Sequence, residues 1–242
     1  MLFSKEQIFI VTGASSGIGK GVAQMLNNQG ATIIAVARRL DKLEEARLSA
    51  NNPDTFFCEE KDLTENIAEL PSYIKMLKEK YGKFSGLAYC AGISLTSPFQ
   101  LADMDAMQNM FNINYFAPMM MLKGILDRRM NVGRGMSNLL IASISASVCL
   151  KGNSIYSGTK AALIASAKSI AREEATKGVR LNVISPADIL TPLTQDKYEA
   201  RNPLYPMGVG EVDDVANLAC FLLSNQAKWI TGQNYKIDCA RF

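Results

Sequence analysis

Gln7-Ile8-Phe9-Ile10-Val11-Thr12-Gly13-Ala14-Ser15-Ser16-Gly17-Ile18-Gly19 is the stretch that decides how this chain folds. A short apolar, β-rich run passes into a loop with three glycines, and a helix-length amphipathic segment, Ile18–Gln29, follows. Strand, glycine turn and helix in that order open a βαβ unit. Glycines let the backbone turn tightly and approach a pyrophosphate, while the helix N-terminus offers unpaired N–H groups to the anion. A glycine-rich turn with no ligand is the plain alternative. The flanking strand and helix favour dinucleotide binding at Gly13, Ser15, Ser16, Gly17, Ile18 and Gly19.

Working outward, the alternation continues to the end of the chain. Further β-rich runs occur at Thr32–Ala37, Thr55–Glu59, Gly86–Cys90, Asn138–Ser143, Val179–Ile184 and Asn234–Ile237. Helix-length segments lie between them, among them Leu40–Ala50, Glu65–Tyr81 and Ile155–Lys177. Alternating strands and helices predict an α/β fold: a doubly wound, mostly parallel sheet (Rossmann fold) with helices on both faces. The 242 residues fit one such domain, and no repeat, low-complexity tract or linker divides them. Met104–Met130 is apolar on more than one face, which fits either a helix buried in its own subunit or one whose outer face meets a partner copy.

Composition narrows the chemistry. With no histidine, His general bases, Ser-His triads and most zinc sites are excluded, and no metal is expected. A net charge of +3 without a Lys/Arg block gives no reason to expect nucleic acid. Five cysteines, odd in number and without a C-x-x-C pair, read as reduced thiols. The strand opening at Gln7 leaves no place for a secretory leader, and the longest uncharged run, Gly135–Leu150, is too short and Ser-rich to span a bilayer. A cytoplasmic protein with no membrane association is the expectation.

Two further stretches carry chemistry. The second strand ends in Ala37-Arg38-Arg39, where an acidic residue would hydrogen-bond a ribose diol and repel a 2′-phosphate. Arg38 and Arg39 instead present forked donors suited to phosphate, so NADP(H) is expected over NAD(H). The competing reading has them only solvate the next helix. In Tyr156-Ser157-Gly158-Thr159-Lys160, a phenol and an ammonium four residues apart share one helix face. A unit charge about 4 Å away, at an effective dielectric of about 20, favours phenolate by roughly 4 kcal/mol. That is enough to bring the phenol from near pH 10 toward neutrality, where it works as an acid-base group.

With these motifs in hand, the chain resembles the short-chain dehydrogenase/reductase family along nearly its whole length. The Thr-Gly-x-x-x-Gly-x-Gly loop is Thr12–Gly19; Asp62-Leu63 matches the adenine-contacting Asp-hydrophobic pair; Ala91-Gly92 matches the end of an Asn-Asn-Ala-Gly motif. Asn114 falls at the family's helix Asn, Ser143 stands thirteen residues before Tyr156, and Tyr156 with Lys160 is the Tyr-x-x-x-Lys pair. Glu211–Ala216 and Ile230–Gln233 with Asp238 resemble the closing helix and strand. Departures are Tyr89 and Cys90 in place of two Asn, Ala187 after Pro186 in place of Gly, and Cys239-Ala240 in place of Gly-Gly.

The resemblance implies an NADP(H)-dependent oxidoreductase acting on a small-molecule carbonyl or alcohol. Tyr156 would donate the proton, Lys160 would lower the phenol pKa and bind the nicotinamide ribose, and Ser143 would hold the carbonyl oxygen, with Ser145 as a second contact. Asn114 would anchor a water serving Lys160. Pro186, Ile189 and Thr191 would meet the nicotinamide end of the cofactor. The irregular segment 188–210 reads as a substrate lid, with Leu193, Tyr198, Leu204, Tyr205 and Met207 as candidate pocket residues. A homotetramer or homodimer is implied. The competing reading is a catalytically weak dinucleotide-binding scaffold, and a methyltransferase on a similar sheet has no use for the Tyr-Lys pair.

Overall fold

The computed structural model describes residues 1–195 and 198–242, apart from the side chain of Tyr198. Its strands are β1 (Ile8–Thr12), β2 (Thr32–Ala37), β3 (Phe56–Glu60), β4 (Gly86–Tyr89), β5 (Ser137–Ile141), β6 (Arg180–Pro186) and β7 (Asn234–Ile237). They form one sheet in the order β3-β2-β1-β4-β5-β6-β7, with every neighbouring pair parallel. The strand order reverses between β1 and β4, and ligands of open α/β sheets bind in the crevice outside such a switch point.

Parallel strands covered on both faces need apolar side chains on both, so they read as continuous hydrophobic runs. Phe9, Val11, Ile33 and Ala35 point into one core layer, while Ile10, Ile34 and Val36 point into the other. Helices α1 (Gly17–Asn28), α2 (Leu40–Leu48) and α9 (Val212–Leu223) cover the first layer. In α1, Val22, Ala23 and Leu26 recur at helical spacing and meet Val215, Ala216 and Ala219 of α9. The second layer is covered by α3 (Leu70–Tyr81), α5 (Ala117–Ile125) and α7 (Ser154–Ala175).

Two helices depart from their expected extents, and proline is the reason in both. The segment expected as a helix from Glu65 begins as α3 only at Leu70, after a 3-10 turn at Ile67–Glu69. Pro71 sits in its first turn, where a missing N–H costs nothing. Met104–Met130 divides into α4 (Met104–Phe111), a π-helical turn at Asn112–Phe116 and α5. Pro118 has no N–H for the carbonyl four residues back, which interrupts the regular ladder beside Asn114. Met110 and Met121 are buried within the subunit, whereas Met104 and Phe116 are exposed.

The replaced motif positions behave differently from one another. Ala187 has no left-handed backbone, so its Cβ introduces no strain. Cys239 and Ala240 do adopt the left-handed region, at φ 54° and 55°, where glycine is at ease and a side chain costs of order 1 kcal/mol. Among the described residues, no helix is long and apolar enough to cross a membrane, and all five cysteines are free.

Candidate active site

The glycine loop and the carboxyl ends of β1, β2 and β4 enclose a cavity of about 350 Å³. Gly13 has φ +67°, and a Cβ there would lie 2.9 Å from the Ala91 nitrogen, so the loop must be bare to nest against β4. Ser16 stands at the N-cap of α1 in extended conformation with no side-chain cap, leaving the first-turn N–H groups for a ligand. Arg39 Nη2 reaches back to Ser15 Oγ (3.1 Å) and Ser16 Oγ (3.2 Å). Arg38 is well exposed and lies 3.8 Å from Asp62. Burial pushes the Asp62 carboxyl up, but donors from Thr64 and the charges of Arg38 and Lys61 outweigh it and hold it low. Leu63 is buried beside it. A bare turn, free helix N–H groups, a guanidinium and this volume fit a dinucleotide.

The turn that follows β4 is held by a side chain from β1. Thr12 Oγ1 accepts hydrogen bonds from the Cys90 N–H (3.0 Å) and the Ala91 N–H (3.2 Å), tying β1 to β4. Tyr89 is buried and its hydroxyl donates to the Ile113 carbonyl at 2.9 Å. Burial pushes the Cys90 thiol up to about 12, which keeps it protonated.

A second cavity, of about 530 Å³, adjoins the first, and Ile18, Cys90, Gly92, Ile93, Thr191 and Leu193 line both. Ser143, Ser145, Tyr156, Lys160, Pro186 and Ile189 line the second. The Ser143 hydroxyl accepts from the Ser145 N–H at 3.1 Å. Asn114 is fully buried and does not line it: its Oδ1 accepts from Ile93 N–H (3.0 Å), and its Nδ2 donates to Ile93 O (2.9 Å) and Thr159 Oγ1 (3.2 Å). Thr159 in turn donates to the Tyr156 carbonyl at 2.8 Å. Thr159 therefore couples the Asn114 turn to the Tyr156 helix. The sequence placed it inside the Tyr-x-x-x-Lys motif without marking it.

The electrostatics differ from the sequence expectation. Lys160 Nζ donates to the Ile141 carbonyl at 2.9 Å and stands 5.8 Å from the Tyr156 ring centre. Burial pushes the Tyr156 phenol above its ordinary value, and the neighbouring Ser143 hydroxyl draws it down by less. Burial lowers Lys160 to about 8. The reason is that a low-dielectric site disfavours the charged form of both groups. Desolvation, and not Coulomb attraction within the pair, sets both directions.

This burial has a measurable consequence. Between about pH 8 and the ordinary lysine value of 10.5, the unfolded chain holds the Lys160 proton more tightly than the folded one. Stability from this group therefore rises with pH across that window. Below about pH 8 the folded state bears the full cost, roughly 3 kcal/mol at about 1.36 kcal/mol per pH unit. Lys160→Met is expected to be more stable than the parent at pH 7, with the gap closing as pH rises toward 10. Guanidinium denaturation at several pH values reads this directly, and a gap independent of pH contradicts it.

The segment 188–210 is anchored at both ends, where Ile189 bridges to Gly210 and Leu190 N–H donates to Gly210 O at 2.8 Å. Thr191 N–H donates to Thr194 Oγ1 at 3.0 Å. Of the expected pocket residues, Leu193, Leu204 and Tyr205 line the second cavity. Met207 does not; it is 86% exposed, and its backbone N–H donates to Cys239 Sγ at 3.2 Å. The Tyr198 side chain lies outside the described residues. Asp188, Arg201 and Arg241 also line the cavity, and no sequence signal pointed to them. Among the described residues, no group of three or more His, Cys, Asp or Glu could hold a metal ion.

Known proteins agree with this architecture. A family model described as enoyl-(acyl carrier protein) reductase matches residues 13–239. An uncharacterized oxidoreductase of Staphylococcus saprophyticus is 31% identical over 214 residues, covering 87% of this chain and 91% of the relative. An NAD-dependent glycerol dehydrogenase of Listeria innocua is 30% identical over 241 residues, covering 96% and 92%. The solved structure of a glucose/ribitol dehydrogenase from Brucella melitensis superposes with a TM-score of 0.92 over 100% of this chain and 99% of the other. At 23% identity, that likeness speaks for the fold.

Proposed function

The chain belongs to the short-chain dehydrogenase/reductase family and is an oxidoreductase of that type, and from this premise we propose that it reduces a small-molecule carbonyl with NADPH. The observation that carries the proposal is the common wall formed by Ser143, Tyr156 and Lys160 in a cavity that opens onto the glycine-loop cavity. The nicotinamide cofactor supplies the hydride. Gly13, Gly17 and Gly19 with the first turn of α1 would hold its pyrophosphate, Asp62 and Leu63 would flank the adenine, and Ala91 and Gly92 would line its path toward the second cavity. Pro186, Ile189 and Thr191, which line the second cavity, would meet the nicotinamide end.

The residues of the chain then handle one proton. Ser143 donates a hydrogen bond to the substrate carbonyl oxygen, and Ser145, whose N–H holds the Ser143 hydroxyl, orients it. Tyr156 gives its proton to that oxygen as the carbon is reduced. A phenol pushed up by burial remains protonated, which suits the reducing direction. Lys160 shares the cavity wall and restores the proton through a water. Asn114, buried outside this cavity, supports the site from behind through its bonds to Ile93 and Thr159.

The cofactor preference rests on Arg39, which stands over Ser15 and Ser16 with no carboxylate at the end of β2. Arg39→Ala is expected to weaken NADPH binding by about ten- to a hundredfold, the worth of a charge-assisted contact, and to leave NADH within about threefold. Tighter NADH than NADPH binding by the parent, as the name of the Listeria relative would suggest, overturns the preference.

The same reading makes residues 1–242 a single dinucleotide-binding domain of a cytoplasmic protein, with 188–210 as its lid. It includes a homodimer or homotetramer, supported by the exposed Phe99, Leu101, Met104 and Phe116 near α4 and α5. A monomeric mass by light scattering at micromolar concentration contradicts the assembly.

A further inference from the structure

The cavity that Tyr156 lines also has a charged wall for which hydride and proton transfer have no use. Asp188 follows β6, Arg201 ends α8 (Tyr198–Arg201), and Arg241 comes from the segment after β7; all three face this cavity. Asp188 is fully engaged. Its Oδ1 accepts from Arg201 Nη1, its Oδ2 accepts from the Tyr205 hydroxyl at 2.9 Å, and Arg241 Nη1 is 3.5 Å from Oδ2. Arg241 is different: its guanidinium carbon lies 4.3 Å from the Tyr205 ring centre and 4.7 Å from that of Phe242. Stacking of this kind fixes the guanidinium plane and leaves its edge donors available.

The guanidinium of Arg241 is held by its 3.5 Å ion pair with Asp188 and by the stack of Tyr205 and Phe242, and its side chain is only 22% exposed. Its one carboxylate is shared with Arg201 and the Tyr205 hydroxyl, so a guanidinium with five N–H groups keeps donors that an incoming anion can take. The charge balance points the same way. Arg201, Arg241 and Lys160 line the cavity, and Asp188 is the one carboxylate side chain there among the described residues. A low-dielectric cleft lined by excess positive charge concentrates anions.

Resting on the carbonyl-reductase reading, we propose that the substrate is an anionic carbonyl compound. Its carboxylate or phosphate is received by Arg241 with support from Arg201, while its carbonyl reaches Ser143 and Tyr156. Both anionic groups present oxygens that match the guanidinium fork. The remaining possibility is that the Arg201–Asp188–Arg241 cluster merely fastens the lid to the end of the chain.

The test compares three aldehydes of similar shape with NADPH: 4-carboxybenzaldehyde, 4-formylphenyl phosphate and neutral methyl 4-formylbenzoate. One or both anionic aldehydes are expected to exceed the ester by about tenfold or more in kcat/KM, mainly through KM, and the better one identifies the preferred anion. That ratio should collapse toward unity in Arg241→Gln and recover in part in Arg241→Lys; a folded Arg201→Gln should lower it less. Equal turnover of all three by the parent overturns the anion proposal and leaves the reductase reading intact. If no aldehyde is reduced, the reductase reading fails. Calorimetric titration with benzoate and phenyl phosphate then decides the site alone. Binding that weakens about tenfold in Arg241→Gln supports it, and absent or Arg241-independent binding overturns it.

Discussion

Tyr156→Phe is expected to lower kcat by about a thousandfold or more with any carbonyl the parent reduces, while NADPH affinity changes by less than about threefold. General acid catalysis by a positioned side chain contributes about a hundred- to ten-thousandfold, and here the phenol is the one proton donor proposed at the reacting oxygen. The substitution removes a single oxygen from a partly buried ring, so packing survives, and Ser143 keeps its hydrogen bond from the Ser145 N–H. Stopped-flow turnover beside NADPH fluorescence titration separates the two effects. A variant that retains a tenth of the parent rate removes Tyr156 from the proton role. Binding that falls together with rate would instead mark the residue as part of the cofactor site alone.

Gly19→Ala is expected to be the most damaging small substitution for dinucleotide binding. A Cβ at Gly19 would lie 2.3 Å from the Gly13 carbonyl oxygen and 2.9 Å from that of Thr12, both backbone atoms that no rotamer change can clear. The N-terminus of α1 would have to withdraw from β1, carrying its N–H groups away from the pyrophosphate position. Overpacking of this kind costs about 1–3 kcal/mol in stability. NADPH affinity should fall by at least about tenfold. Gly158→Ala is the contrast, since nothing lies within 4 Å of its added Cβ inside α7, and it should gain about 1 kcal/mol. Denaturant melts and cofactor titration of both variants check the pair. Unchanged NADPH binding by Gly19→Ala would show that the loop does not carry the pyrophosphate.

The order of strands and helices was legible because both faces of a parallel sheet are buried. Ile33, Ile34, Ala35 and Val36 of β2 all had to be apolar, and a run of that kind declares itself without a partner. The glycine loop was legible because its chemistry is local: strand, turn and helix are consecutive. The start of α3 and the break at Asn112–Phe116 were missed, although Pro71 and Pro118 were visible, because a hydrophobic pattern reports which face is buried and not where the hydrogen-bond ladder is interrupted. Met207 was misplaced for a similar reason: in an irregular segment no periodicity tells an inward residue from an outward one.

The sequence by itself determined the fold class, the family, and the identity and spacing of Ser143, Tyr156 and Lys160, since each follows from patterns a few residues long. Tertiary structure alone decided the electrostatics of that trio, because burial depends on everything packed around it and reversed the expected direction for the Tyr156 phenol. It also decided that Asn114 meets Thr159, and that Asp188, Arg201 and Arg241 stand together in one cavity. Those charges come from three separate segments of the chain. Only the folding of β6, segment 188–210 and the closing segment onto one another brings them into one cavity.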